Sequence, residues 1–342
     1  MKDPFSSARA RRADPMRVEE TYLSWPEMAK DGFGRRPRLR AGRNRKFLLL
    51  GMGGSASAGD ILAGWLYTTH GIESEVCKGV IPAKDLQGCF AIACSASGNT
   101  EETLAMMKTA LERGANLVSI SHGGKLEEVS TSLGVPHAQM PSIVAPRYML
   151  PFMTFVGLRA LDEAFGLDSK GEALEAIEEM GKARGTLGAA VPLRANPAKR
   201  LALRLLGRTP AVYGTRVTRG PGLRFKNVVS ENSKRHAVYD EVPELLHNEI
   251  QAWEEPGGRF VPVLLRDVAE GKRDGLLFEK LHGVLTSTKS EPVTVRGVGK
   301  GLFSRLMTMA YELDFVSYYL AVGSGRDPFP TPLINGLKRR KH

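Results

Sequence analysis

Ser95-Ala96-Ser97-Gly98-Asn99-Thr100-Glu101-Glu102-Thr103 is the stretch that decides how this chain is read. It follows an apolar run, Phe90-Ala91-Ile92-Ala93-Cys94, and leads into an amphipathic one from Leu104 to Leu111. That succession predicts a strand, a hydroxyl-rich loop and the start of a helix. Backbone N–H groups and the hydroxyls of Ser95, Ser97 and Thr100 then converge at the positive end of a helix, which suits a phosphate dianion. The turn lacks the lysine of a nucleotide-binding P-loop. It is equipped to hold a phosphate and poorly equipped to transfer one.

The same alternation extends on both sides of the turn. Upstream, Lys46-Phe47-Leu48-Leu49-Leu50 reads as a buried parallel strand, residues 51–59 as a glycine-rich turn, 60–67 as a helix and 73–79 as a strand. Downstream come a helix over 100–113, a strand at 116–120, a short helix from Lys125 and a long apolar helix over 147–165. Residues 167–196 are helical and charged and read as a connection. The second half restarts with a helix at 198–206 and a strand at 210–214. Helices at 220–233, 243–254, 274–286 and 302–322 then alternate with strands at 236–239, 260–266 and 291–296, and residues 328–338 add a turn or two. This spacing predicts an α/β chain of two tandem, doubly wound sandwiches with parallel sheets. The expected units are residues 16–166 and 198–342, joined by 167–197. Residues 1–15 are expected to be a disordered extension, with Met16 a candidate natural start.

A chain of 342 residues has room for two domains. Its 42% hydrophobic and 25% charged residues, with a mean hydropathy of −0.20, are those of a soluble globular protein. No apolar run approaches the roughly 20 residues needed to span a bilayer, and the first fifteen lack the apolar core of a secretory signal. The net charge of +11 is concentrated: residues 1–46 hold thirteen Lys and Arg against six Asp and Glu. No aromatic residue interleaves the Arg-rich run at 35–46, as single-strand binding would need. Neither nucleic acid nor membrane is therefore expected as a partner. The three cysteines, Cys77, Cys89 and Cys94, show no metal-ligand spacing and predict small buried residues in a reducing compartment.

Gly51-Met52-Gly53-Gly54-Ser55-Ala56 matches G-x-G-x-x-A after a strand, and Glu73 or Glu75 could serve as the ribose-binding acid of a dinucleotide fold. A plain glycine turn fits the same residues. The second hydroxyl-rich turn, at the end of another strand of the same sheet, favours a compact phosphorylated ligand held between two loops. Glu231 stands near the end of an apolar helix, where a carboxylate is capped, paired or catalytic. His247 falls inside an expected helix, where a lone histidine is more often structural. Arg147 opens a long apolar helix whose dipole disfavours a cation there, a local conflict that hints at function. The seven histidines show no paired metal-ligand spacing.

Together these elements resemble the bifunctional phosphoglucose/phosphomannose isomerases, the archaeal-type branch of the sugar isomerase (SIS) superfamily. The resemblance runs through Gly51-Met52-Gly53-Gly54-Ser55 with Gly59-Asp60, the Ser95-to-Thr103 turn and Pro146-Arg147-Tyr148-Met149-Leu150-Pro151. It continues in Glu231-Asn232-Ser233-Lys234, in His247-Asn248-Glu249-Ile250 with Trp253, and in a tail holding Asp327-Pro328, Thr331-Pro332 and Leu337-Lys338. It spans residues 20 to 340 or so. The hydroxyl loop is specific only to the superfamily; the Glu-Asn, His-Asn-Glu and C-terminal Lys elements narrow it to this branch.

The resemblance implies two tandem SIS-type subdomains in a cytoplasmic, cofactor-free and metal-free enzyme. Its substrates would be glucose 6-phosphate, mannose 6-phosphate and fructose 6-phosphate, interconverted by ring opening and enediol proton transfer. Ser55, Ser95, Ser97 and Thr100 correspond to phosphate-binding residues, with Gly54 beside them in the substrate site. Glu231 matches the base that shuttles a proton between carbons 1 and 2, and Arg147 the cation beside the enediolate. His247 matches a ring-opening residue that arrives from the second subunit of a homodimer. Lys338 matches a residue at the ring-opening end, and Thr331 the position associated with accepting both epimers. These residue types suit proton abstraction beside a carbonyl and opening of a hemiacetal. A non-catalytic SIS module that senses sugar phosphates is the alternative.

Overall fold

The apolar run before the hydroxyl turn becomes an interior strand of a parallel sheet, buried along its whole length, as expected where both faces of a sheet are covered. The computed structural model describes residues 3–37, 39, 44–81, 84–141, 145–255 and 258–339. Its first half runs α1 (Ser7–Ala13), α2 (Val18–Leu23), α3 (Trp25–Gly34), β1 (Lys46–Gly51), α4 (Gly53–His70), β2 (Glu73–Cys77), β3 (Cys89–Cys94) and α5 (Glu101–Glu112). It continues through β4 (Asn116–Ser121), α6 (Gly124–Ser132), β5 (His137–Gln139), a 3-10 turn at Pro146–Met149, α7 (Leu150–Phe165) and α8 (Lys170–Leu187). The five strands are parallel in the order β2-β1-β3-β4-β5.

The second half holds α9 (Pro197–Leu205), β6 (Thr209–Gly214), α10 (Arg219–Val228), a π turn at Val229–Ser233 and β7 (Val238–Glu241). Two 3-10 turns, Glu244–His247 and Glu249–Trp253, precede β8 (Phe260–Arg266), α11 (Lys272–Ser287), β9 (Val293–Arg296), α12 (Leu302–Gly323) and α13 (Pro332–Arg339). Its sheet is again parallel, in the order β7-β6-β8-β9. The order repeats the first four positions of the other sheet, so the chain is α/β with two parallel sheets of like topology.

One buried apolar cluster runs through both halves, joining Leu49 and Ile92 of one sheet to Val212 and Val263 of the other by way of Phe225 and Phe315. The helices that follow β1 and β6 approach closely through glycine. A Cβ at Gly220 of α10 would stand 2.7 Å from the Ile61 backbone nitrogen, and one at Gly64 of α4 would stand 3.1 Å from the Val217 carbonyl. That contact brings the end of α10 toward the loops of the first sheet.

Several expectations are corrected. Residues 1–15 were expected to be disordered, yet α1 is folded among the described residues, and Phe5 is fully buried with its ring 5.6 Å from that of Tyr319. Asp14 accepts from the backbone N–H groups of Val18 and Glu19 at 2.8 and 2.9 Å, capping α2. One aromatic anchor and one cap outweigh the charged composition that suggested a loose arm. The glycine-rich segment 51–59 is mostly helix, because α4 starts at Gly53. Its small residues permit close packing: a Cβ at Gly59 would lie 2.7 Å from Leu49. Residues 243–254 form two 3-10 turns in place of one helix. Asn248 caps the second turn by accepting from Glu249 N–H, competing with helical bonding. The expected helix 220–233 ends in the π turn.

Candidate active site

Ligands of open parallel sheets bind beyond the carboxyl ends of the strands, where the strand order reverses. In the first sheet that place lies between β1 and β3, paired in register from Lys46↔Cys89 to Gly51↔Cys94. The loop after β1 is very short, with Gly53 at φ +53° and the buried Ser55 already in the first turn of α4. The loop after β3 bends at Gly98, φ +69°, where a Cβ would collide with the Gly123 carbonyl at 1.7 Å. Ser95 and Thr100 hydroxyls share a hydrogen bond of 2.9 Å, while Ser97 is exposed. Asn99 Oδ1 accepts from the Lys125 N–H at 3.1 Å and fixes the turn to α6. Two helix N-termini, of α4 and α5, thus open beside four hydroxyls.

Cys77, Cys89 and Cys94 are buried free thiols. Burial pushes the Cys94 thiol, beneath these loops, up to about 12 and that of Cys77 up to about 11. Neither is a nucleophile at neutral pH.

Arg147 joins this edge to the second half of the chain. A Cβ on Gly54 would lie 3.1 Å from Arg147 Cα, a tight contact, so the first loop seats closely against it. The residue is 5% exposed, and its Nε and Nη2 donors are taken up within the protein. Nε donates to Asn232 Oδ1 at 3.0 Å, and Nη2 to the Tyr148 hydroxyl at 2.8 Å and to the carbonyls of Pro328 and Phe329 at 3.0 and 2.5 Å. Nη1 faces Glu231 Oε2 at 3.7 Å. Arg224, itself held bidentate by the buried Asp314 at 3.1 and 2.7 Å, donates to the Arg147 carbonyl. The cation that conflicts with the start of an apolar helix is therefore fixed by side chains and backbone from four parts of the chain.

Glu231 sits on the π turn Val229–Ser233 at the end of α10, a distortion frequent at functional sites. Its neighbour Asn232 is fully buried and donates to the hydroxyls of Tyr22 and Ser317, both at 2.8 Å, while accepting from Arg147. The turn is thereby locked, and the Glu231 carboxylate, 23% exposed, points to the edge beside Arg147. Tyr148, Asn232 and Asp314 were missed as positioning residues. For Asn232 a signal existed, its place beside Glu231; for Asp314, inside a long apolar helix, the signal was a charge at a core position.

The structure brings together Gly54, Ser55, Arg147 and Glu231, with Ser95, Ser97 and Thr100 on the adjoining loop. Thr331 follows two residues after the Phe329 carbonyl that Arg147 holds, and its own carbonyl accepts from Asn335 N–H at 3.0 Å at the start of α13. Lys338 lies on α13, and its side chain is outside the described residues. His247 is exposed on the turn after β7; among the described residues no hydrogen bond or ion pair joins it to Glu231 or Arg147. Among the described residues, no group of three or more His, Cys, Asp or Glu could hold a metal ion, and no helix is long and apolar enough to cross a membrane.

Residues 194–340 match the family model described as the bacterial phospho-glucose isomerase C-terminal SIS domain. A bifunctional phosphoglucose/phosphomannose isomerase of Caldicellulosiruptor bescii is 33% identical over 304 residues, 86% of this chain and 89% of that protein. A D-glucosamine-6-phosphate 4-epimerase of Sulfolobus acidocaldarius is 27% identical over 252 residues, 72% of this chain and 77% of that one. A solved glucose-6-phosphate isomerase like protein from Thermus thermophilus shares the fold, with a TM-score of 0.65 at 21% identity, covering 99% of each chain.

Proposed function

The chain belongs to the bifunctional phosphoglucose/phosphomannose isomerase family of sugar-phosphate isomerases, and we propose that it interconverts glucose 6-phosphate and mannose 6-phosphate with fructose 6-phosphate. The observation that carries this reading is a carboxylate and a guanidinium 3.7 Å apart, Glu231 and Arg147, at the edge where the hydroxyl loops end. The phosphate sits between Ser55 of one loop and Ser95, Ser97 and Thr100 of the other, with Gly54 giving the ligand backbone access. The Glu231 carboxylate takes the proton from carbon 2 of the open-chain aldose. The electron pair runs into the carbonyl and leaves an enediolate whose charged oxygen faces Arg147. The proton returns to carbon 1 while the hydroxyl proton of carbon 2 passes to oxygen 1, giving the ketose. Because carbon 2 is planar in the intermediate, a proton added to either face yields either epimer, and Thr331 is the residue assigned to tolerating both.

Ring opening falls to His247 and Lys338. An exposed His247, with no link to Glu231 among the described residues, fits a homodimer in which it serves the partner's site. The reaction sequence needs no cofactor, and the compartment assigned is the cytoplasm.

A coupled assay with the two aldose phosphates tests this reading. Glu231→Gln should lower turnover about 10³-fold and abolish solvent proton exchange at carbon 2, with the fold intact. Normal turnover in that variant removes Glu231 as the base. Stabilisation by sugar phosphates without turnover in the unaltered protein replaces the enzyme with a sensing module, and reaction of the glucose epimer alone overturns the Thr331 assignment.

A further inference from the structure

Lys234 follows the π turn in the left-handed conformation, φ +58°, a region that residues other than glycine seldom occupy. The reversal folds its side chain back over the turn. Its ammonium donates to the carbonyls of Glu231, Asn232 and Asp327 at 2.9, 3.0 and 2.8 Å. An ammonium has three N–H donors and no acceptor, so these three carbonyls saturate it. The first two are end-of-helix carbonyls, which a lysine commonly satisfies. The third belongs to a residue 93 positions away and has no part in capping.

Asp327 begins a short strap. The next two carbonyls, of Pro328 and Phe329, are held by Arg147, and the Tyr148 hydroxyl reaches Pro328 O at 3.3 Å. α13 starts three residues later, at Pro332. Its apolar side chains do little to place it: Leu333 is 83% exposed and Leu337 67%. The start of α13 is therefore set by the strap, and the strap by its carbonyl anchors together with the buried Pro328 and the Phe329 ring packed on the core.

We propose that Lys234 is a positioning residue, which ties the turn carrying Glu231 to the 327–329 strap and so fixes where α13 begins beside the site. Two cations, Arg147 and Arg326, and two carboxylates, Glu231 and Asp327, face its ammonium. Loss of hydration first, and then the charge of Arg147, bring its pKa down to about 8, against the pull of Asp327 and Glu231. The tripod is complete below that pH. Above it, two remaining N–H donors face three carbonyls.

Hydrogen–deuterium exchange on the full chain without ligand tests the tie itself. In Lys234→Met the amides of residues 326–337 should exchange about tenfold faster or more, while those of 306–320 in α12 stay as they were. Lys234→Arg, which keeps charge and donors, should recover most of the protection. Unchanged exchange over 326–337 in Lys234→Met, or equal acceleration of both segments, overturns the proposal. A second arm rests on the reading of the chain as an isomerase. With glucose 6-phosphate, Lys234→Met should lower kcat more than it raises KM, and the unaltered enzyme should lose activity above about pH 8 while Lys234→Arg does not. A rise in KM alone, or equal pH profiles, overturns the positioning role. If no variant and no unaltered protein turns over any sugar phosphate, the functional reading fails, and the exchange result by itself decides whether the tie exists.

Discussion

Where β3 ends, Ser95 follows; where β8 ends, at the same place in the strand order of the second sheet, Asp267 follows. At the first edge the Ser95 and Thr100 hydroxyls bond to each other, Ser97 is exposed, and α5 begins directly after Thr100. At the second edge the polar groups are consumed internally. Asp267 takes a bidentate pair from Arg305 at 2.7 and 3.0 Å and accepts from the Ala269 N–H at 2.8 Å. Thr218, in the turn after β6, accepts from the Thr215 N–H at 3.0 Å and donates to the Leu265 carbonyl at 3.2 Å. A carboxylate at that point repels a phosphate dianion, whereas hydroxyls and helix N-termini attract one. Two halves of like topology thus differ in one decisive respect: one edge presents hydroxyls beside helix N-termini, where the phosphate is proposed to bind, and the other is closed by an ion pair.

The most severe way to break this contrast is to copy the closed edge onto the open one. Ser95→Asp should raise KM for sugar phosphates about 100-fold or more; because Ser95 is buried the melting temperature should also fall, so KM is measured well below it, on protein whose circular dichroism is unchanged. Unchanged KM would mean that the phosphate is held elsewhere. The reverse test acts on stability. Asp267→Asn leaves the buried Arg305 without its counter-charge, and breaking such a buried pair costs about 3 kcal/mol. The melting temperature should fall by several degrees, and turnover measured well below it should hold. Lost turnover at unchanged stability would assign the second edge to the site.

Both strands flanking the first edge were legible in the sequence because each is a short apolar run with a turn at its end, and so was the hydroxyl loop itself. The π turn was not. Residues 220–233 carry one helical periodicity, and a single i→i+5 step within it leaves no mark on the pattern of apolar residues, although it sets where Glu231 points. The strap on Arg147 was equally hidden, since Pro328 and Phe329 contribute backbone carbonyls, which have no side-chain signature. Phe5 was lost in a charged segment because one buried ring gives no period. Arg147 and Glu231 were found through local conflict and resemblance, but their separation of 3.7 Å joins two segments far apart in the chain, which no local pattern encodes.

The finest test separates the two hydroxyls of the open loop. Ser95 is buried and already bonded to Thr100, so removing its hydroxyl would also unpair a neighbour. Ser97 is exposed, and among the described residues its hydroxyl accepts only a long hydrogen bond, 3.3 Å, from the Asn99 N–H. Ser97→Ala should therefore delete one hydrogen bond to the proposed phosphate, worth about 1 kcal/mol, and raise KM about fivefold. The phosphate is remote from carbons 1 and 2, so the bond is made equally in ground and transition states and kcat should not change. Thr218→Ala at the closed edge should do the opposite, lowering stability by a similar amount and leaving KM alone. A drop in kcat for Ser97→Ala at constant KM would show that the open loop tightens as the proton moves, and the contrast between the edges would then extend from binding to the chemical step.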